Sequence, residues 1–487
     1  MLSWVRRMPR QVLVSPRQRC RLSLSCRSQC EHAMPPRGGR GHAVFSAQLP
    51  FGGGRTAVST LPTGGRSVRI AIVGPFTGSS LASSFSFPAG THLPDGYLGA
   101  PLMAAYARAL VNRGHTVAAV TTDKSSFPAA ARSPSFKVFD GLGLRAYFCP
   151  ERIKGFRYSN GHVGKALDLF SFERRGMMAA IADFAPDVVH AHWTYEFAWA
   201  ALDSGYPTVV TAHDSPWKVL RLMPDLYRAL RFGMARRVIP RCRYLTAVSA
   251  DLAVDVQKFT RTPVAVVANP IADDVMASRG CTAESFDSQT LVMVLNGWDA
   301  WKNGAAALRA FAIARRANPA LRMVCFGWHW EPEGVAQQWA RSNGIDAGID
   351  FRGAVPHASI LSQMQAGAVL LHPSRLEACS MTIAEALSVG LPVIAGRMTA
   401  GVPWQLNDGK AGVLVDVNDP ESMARAVLDL TTDPKRWAGF SAAGRARARS
   451  LFAADRVVDQ YMLQYEAACA ASVVSAPHGA RARQTVG

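Results

Sequence analysis

Several things are scarce in these 487 residues, and each scarcity narrows the class of protein. No apolar run approaches the roughly 18 residues needed to span a bilayer, which predicts no transmembrane helix. Acidic side chains are few, 35 against 54 Lys and Arg, for a net charge of +19. Such basic character suits anionic lipid headgroups, nucleotide diphosphates or nucleic acid. Nucleic acid is set aside, because no nucleic-acid motif is present and the aromatics do not interleave with basic residues as a stacking platform requires. The nine cysteines are odd in number and irregularly spaced. They point to reduced thiols in the cytoplasm rather than to a disulfide framework. Cys20, Cys26 and Cys30 lack a matching His or Cys cluster, so they give no zinc site. There is no internal repeat.

What remains is a chain with 49% hydrophobic and 18% charged residues, able to bury large cores and long enough for two α/β domains. Residues 1–66 stand apart. They are rich in Arg, Ser, Gly and Pro, without lysine and with one acid, Glu31. This predicts a disordered basic leader: a transit peptide, an upstream-assigned start or a tail without a role. Strand-like apolar runs follow at 68–73, 117–121, 145–149, 187–193, 208–212, 244–248 and 264–267. The first leads through a Gly-bearing loop with Gly96, Tyr97 and Gly99 into a helix closed by Gly114. Gly141, Gly143 and Ala146 match a dinucleotide fingerprint only superficially, because a strand follows them and not a helix. The strand at 187–193 ends in His190 and His192, and that at 208–212 runs into His213 and Asp214. An imidazole at a strand's carboxyl end can donate to a sugar hydroxyl. A metal held by His190, His192 and Asp214 is the competing idea, but no third clear ligand is present and none is predicted. Residues 224–239, with Arg228, Arg231, Arg236 and Arg237 opposite Leu226, Tyr227, Leu230 and Met234, suit a core helix with a solvated basic face or a helix lying on an anionic membrane.

A second series of strands begins at 291–295 and continues at 323–326, 349–352, 367–371, 393–395 and 412–416. After its first strand come Gly297 and Lys302 and then a helix start, a combination suited to a diphosphate. After 367–371 a loop carries Glu377. A helix over 381–389 carries Glu385 and is stopped by Gly390 and Pro392. The amides of Ser380, Met381, Thr382 and Ile383 are predicted to face an anion at the helix start. Thr382 and Glu385 also fit a capping box, a purely structural role. Helical residues 420–430 and a long helical region over 434–471 end the chain.

Pro373, Ser374, Glu377, Glu385, Ala386, Gly390, Pro392 and Val393 together resemble the E-x7-E signature of retaining glycosyltransferases that use nucleotide sugars, and more narrowly the bacterial family 4 (glycosyl transferases group 1). The resemblance covers residues 68–470. It implies the GT-B fold, α/β with two Rossmann-like domains facing a cleft. The parts would be a leader (1–66), an acceptor domain (67–271), a linker (272–289), a nucleotide-sugar domain (290–452) and a helix crossing back (453–471). It implies hexose transfer to an acceptor hydroxyl in surface-polysaccharide or lipid-linked glycan synthesis, in the cytoplasm or at the cytoplasmic face of the membrane. No cofactor or catalytic metal is implied, the nucleotide-diphosphate sugar being a co-substrate. Glu377 and His213 would be catalytic. Lys302, Glu385, Gly297, Ser380, Met381, Thr382 and Gly401 would hold the donor, and Gly96, Tyr97 and Gly99 would face the acceptor. Trp298 and Trp404 stand where the family carries Arg and Glu, and Arg375 is a candidate replacement cation. Two other functions remain open: a nucleotide-sugar epimerase on the same fold, and a non-catalytic membrane-associated binding protein.

Overall fold

The computed structural model describes residues 67–87, 92–97, 101–125, 135–152, 155–157, 163–278, 280–281 and 287–475. The leader at 1–66, Gly99 and part of the linker at 272–289 lie outside the described residues.

The first lobe is an eight-stranded sheet. It comprises β1 (Arg69–Val73), β2 (Thr116–Asp123), β3 (Lys137–Asp140), β4 (Leu144–Pro150), β5 (Val188–His192), β6 (Thr208–Ala212), β7 (Tyr244–Ala247) and β8 (Val264–Val266). The order is β3-β4-β2-β1-β5-β6-β7-β8, with β3 antiparallel to β4 and the other pairs parallel. The second lobe holds β9 (Thr290–Val294), β10 (Arg322–Phe326), β11 (Ile349–Gly353), β12 (Val369–His372), β13 (Val393–Gly396) and β14 (Val413–Val415), parallel throughout in the order β11-β10-β9-β12-β13-β14. A parallel sheet is covered by helices on both faces, so its strands must be apolar on both. In β1, Ile70 and Ile72 enter one core while Ala71 and Val73 enter the other. Likewise Leu291 and Met293 of β9 oppose Val292.

In each sheet the strand order reverses beside the first strand, between β1 and β5 and between β9 and β12. Loops leaving neighbouring strands in opposite directions open a crevice there, at the carboxyl ends. The tertiary structure departs from the sequence expectations at three places. The region 434–471 is two helices, Pro434–Leu451 and Ala454–Ser475. They part at Phe452 and Ala453, where the Ile271 amide donates to the Phe452 carbonyl, so the two chain crossings between lobes lie side by side. Residues 224–239 begin helically only at Leu226, capped by Asp225, after a separate helix Pro216–Leu222. Met234, Ala235 and Val238 bury their side chains, making Leu226–Val238 a core helix. The linker contains a helical turn, Asp273–Met276, and Cys281 is buried against the Met364 and Gln365 carbonyls.

The final helix Ala454–Ser475 packs on the first lobe. Tyr465 Oη lies 2.7 Å from His190 Nδ1 and 2.5 Å from Tyr106 Oη, while Tyr461 Oη lies 3.1 Å from Thr211 Oγ1. Because buried polar groups are costly when unpaired, this network fixes the register of the helix on the sheet.

Candidate active site

At the switch point of the second sheet, the loop after β9 carries Lys302 and the loop after β12 carries Glu377. Lys302 Nζ and Glu377 Oε1 are 2.7 Å apart, each side chain 15% exposed. The Lys302 ammonium also lies 4.2 Å from the centre of the Trp301 ring. His372, at the end of β12, places Nε2 3.5 Å from the same carboxylate oxygen, an electrostatic neighbour beyond good hydrogen-bond length. Burial pushes the Glu377 carboxyl up, but His372 and Lys302 outweigh it and hold the group down at about 2. Glu377 is therefore ionised at neutral pH and can only accept hydrogen bonds. The loops are pinned from behind. Asn303 Nδ2 donates to the Pro373 and Val417 carbonyls, and Thr399 Oγ1 donates to the Ser374 carbonyl.

The predicted row of free amides is shorter than expected. The Ser380 amide donates to Gln405 Oε1 at 2.8 Å, and the Ile383 amide donates to Ser380 Oγ at 3.4 Å as an N-cap bond. Only Met381 and Thr382 of the four keep N–H groups without a partner among the described residues, because Gln405 takes one of the others and the Ser380 cap takes the other. Gly297 adopts φ +106, which suits glycine, but its amide donates to the Trp328 carbonyl. Gly401 is likewise committed: its amide donates to the Glu377 carbonyl at 2.9 Å. A Cβ there would stand 1.9 Å from the Ala378 carbonyl oxygen, so close approach and not φ demands glycine.

The two substituted positions and the candidate replacement cation are engaged elsewhere. Trp298 packs edge-on to Trp330 and against Trp339, with ring centres at 5.2 and 5.5 Å, and so lies half-buried against a core cluster. Trp404 packs in the opposite core with Arg447 beside its ring. Arg375 does not replace the missing cation. Its guanidinium is spent on the Ala300 carbonyl and the Asn418 side chain, at 2.6 and 2.7 Å.

Glu385 is separated from the Lys302–Glu377 pair in its contacts. Its Oε1 lies 2.9 Å from His357 Nε2. That hydrogen bond raises the His357 pKa despite its partial burial. His357 opens the helix His357–Ala366, which sequence patterning did not single out. A histidine beginning a helix after a strand end carries the same signal as the other strand-end histidines, as does His372.

In the first lobe His213 Nε2 and His192 Nδ1 are 2.8 Å apart, and the His213 ring stacks on Trp193 at 4.1 Å and 19°. Trp193 has φ +66, a conformation costly for a bulky side chain. Burial pulls the His213 pKa down to about 3 and lowers those of His190 and His192, so all three rings are neutral. Two of the trio His190, His192 and Asp214 are engaged by other side chains, although the His190 and His192 rings lie 4.1 Å apart. His190 is engaged at both ring nitrogens by Tyr465 and Thr211, and Asp214 accepts from Tyr195 Oη at 2.8 Å. Gly96, at φ +71, donates its amide to Asp123 Oδ1, and Tyr97 lies edge-on to Phe197. Arg231, expected on a solvated face, instead pairs with buried Glu196 at 2.7 Å, its guanidinium 3.9 Å from the centre of the Tyr195 ring. His213, Asp214, Lys218, Asp251 and Asp255 from this lobe and Trp301, Leu376, Glu377 and Ala400 from the other line one cavity of about 180 Å³. Glu385 is not part of that lining.

Two family models cover most of the described chain: Glycosyltransferase Family 4 over residues 102–275 and Glycosyl transferases group 1 over residues 283–447. A GDP-mannose-dependent alpha-(1-6)-phosphatidylinositol monomannoside mannosyltransferase from Mycolicibacterium smegmatis is 32% identical over 147 residues, 28% of this chain and 37% of the relative. A D-inositol 3-phosphate glycosyltransferase from Thermobifida fusca is 30% identical over 30% of this chain and 35% of the relative. The matched segments thus span little more than a third of these curated relatives. Among solved structures, sucrose-phosphate synthase from Thermosynechococcus elongatus superposes with a TM-score of 0.61 at 16% identity, covering 83% of this chain and all (100%) of that one. The Anabaena protein HepE in complex with UDP gives 0.56 at 15% identity, covering 82% and 100%. At these identities the structural neighbours speak for the fold. Two parallel-sheet lobes, a signature loop at the second switch point and two adjoining family matches place this chain in the family 4, group 1 glycosyltransferases with the GT-B fold.

Proposed function

We propose that this protein transfers a hexose from a nucleotide-diphosphate sugar to an acceptor hydroxyl, with retention at the anomeric carbon. The observation that carries the proposal is the Lys302–Glu377 pair, held at the switch point with Glu377 lining the inter-lobe cavity. An ionised carboxylate beside an ammonium suits a substrate with sugar hydroxyls at one end and phosphate at the other. Glu377 accepts hydrogen bonds from the sugar. Lys302 and the Met381 and Thr382 amides at a helix start take up the charge that develops on the departing diphosphate, the main catalytic contribution. Glu385 accepts from the ribose diol. His213 orients the sugar from the other lobe.

No side chain need act as a general base. As the acceptor oxygen bonds to the anomeric carbon, the bond to the leaving phosphate oxygen breaks and that oxygen takes the acceptor proton on the same face. Two flanking carboxylates, as in glycosidases, are not required. No metal or other cofactor enters this scheme. The GDP-mannose dependence in the name of one relative and the UDP bound in HepE support a nucleotide-sugar donor. The acceptor is a glycan or lipid-linked molecule, and the pathway surface-polysaccharide or lipid-linked glycan synthesis in the cytoplasm. The exposed Leu226, Arg236 and Arg237 on the helix Leu226–Val238 supply a peripheral contact to anionic membrane. No described helix is long and apolar enough to cross a membrane.

Release of nucleoside diphosphate from a panel of nucleotide sugars tests the proposal. Turnover of one donor, lost in Glu377→Ala with donor binding intact, is the expected outcome. Undiminished turnover in that variant would remove Glu377 from the mechanism.

A further inference from the structure

Four observations meet at His192. Its Nδ1 is 2.8 Å from His213 Nε2. Its Nε2 is buried without a hydrogen-bond partner, in a residue 3% exposed. His213 is clamped face-on by Trp193, whose backbone is held in the left-handed region. Finally, His213 lines the inter-lobe cavity, with no hydrogen bond to its Nδ1 among the described residues.

Each neutral imidazole carries one N–H and one lone pair, so this contact has two arrangements. In one, His213 donates from Nε2 and His192 accepts at Nδ1. His192 then carries its proton on Nε2, an N–H sealed in the core with no acceptor. In the other, His192 donates from Nδ1, and its bare Nε2 is an unused lone pair. Orphaned buried N–H groups are rarer than under-used acceptors, and an unmade donor forfeits its full desolvation penalty. The second arrangement is therefore favoured. It places the His213 lone pair on Nε2, facing His192, and its single proton on Nδ1.

We propose that His192 is a positioning residue that locks His213 as the Nδ1–H tautomer, so that His213 meets substrate only as a hydrogen-bond donor to an oxygen and never as a base. The inference rests on the sugar-transfer proposal for what His213 meets, but not for the tautomer itself. Burial lowers the pKa of both rings, which keeps the pair neutral through the working pH range. Trp193 adds the second restraint, since a ring stacked at 4.1 Å cannot rotate Nε2 away from His192 without leaving the stack.

The test uses the full chain labelled with 15N-histidine, with the His213 and His192 signals assigned through single substitutions. The expected spectrum shows His213 protonated at Nδ1 and bare at Nε2, unchanged between pH 5 and 8. Proton on His213 Nε2, or on both nitrogens at pH 7, would overturn the proposal. A kinetic arm separates positioning from packing. His192→Phe keeps bulk but removes the donor, and should lower kcat about tenfold with donor KM within about twofold. His192→Asn, whose side-chain amide can donate from near the Nδ1 position, should recover most of that loss. Equal defects in the two variants would mean that His192 only fills space, and would defeat the proposal. If wild-type protein turns over no nucleotide sugar, the transfer proposal fails, while the spectrum still decides the tautomer.

Discussion

The two lobes present opposite chemistry at equivalent places in their sheets. Around the β1/β5 switch, polar groups are neutral or already matched: three uncharged histidines, Arg231 on Glu196, and Asp214 bonded to Tyr195. Around the β9/β12 switch, an ammonium and an ionised carboxylate pair at 2.7 Å, and a helix starts at Met381, four residues beyond Glu377. One crevice is finished internally and offers directed hydrogen bonds; the other stores separated charge. Stored charge suits a diphosphate, whose negative charge grows during transfer, whereas a neutral polar surface suits an acceptor that only has to be oriented.

If that division holds, the second lobe is the more sensitive one catalytically. Glu377→Ala should cost about 10²–10³ in kcat, the scale for one preorganised electrostatic group, and the His192 and His213 variants less. Steady-state kinetics on one donor would check the ranking, and a larger loss from the first lobe would break the comparison. Trp298→Arg, which restores the family residue, should not improve turnover. It should cost about 3 kcal/mol of stability by denaturant unfolding, because Trp298 fills space against Trp330 and Trp339. Glu385→Gln should weaken nucleoside diphosphate binding about tenfold by calorimetry and leave a 2′,3′-dideoxy analogue nearly unaffected, the scale of one charged hydrogen bond.

Acid unfolding sharpens the contrast further. The Glu377 carboxyl is depressed from 4.5 to about 2, so the folded state stays ionised where the unfolded state takes up a proton. Its contribution is complete above about pH 4.5 and is lost as pH falls towards 2. Lys302→Met, by raising that carboxyl, should flatten stability against pH over this window. The smallest effect has the opposite sign. The His357 pKa is raised by Glu385, so its contribution is present below 6.5 and lost as pH rises through the folded value. With the His357 side chain 54% exposed, it should stay under about 1 kcal/mol, read as the difference between wild type and His357→Gln.

Local chemistry made much of this legible. The helix 381–389 was readable because Ser380 caps it and Gly390, at φ +77, ends it. The buried strands were readable because parallel sheets need apolar residues on both faces. The family signature located Glu377 and Lys302 on different loops, and the fold brings them to 2.7 Å. The amides were over-counted because Gln405, 25 residues from Ser380, takes one of them, a contact no local pattern announces. His357 and His372 were passed over because their importance comes from neighbours, Glu385 and Glu377, that only packing supplies. Trp298 and Trp404 drew attention as departures from the family pattern, while their half-buried side chains pack against the cores.

Periodicity, capping and the spacing of two glutamates are short-range properties, so the sequence by itself determined the parallel strands, the principal helix and the family, but not the exposed antiparallel strand Lys137–Asp140. Which amides stay free, which tautomer His213 takes and where each tryptophan points depend on side chains brought together from distant segments. Those the tertiary structure decided, because hydrogen-bond satisfaction and close packing are settled only when every neighbour is in place.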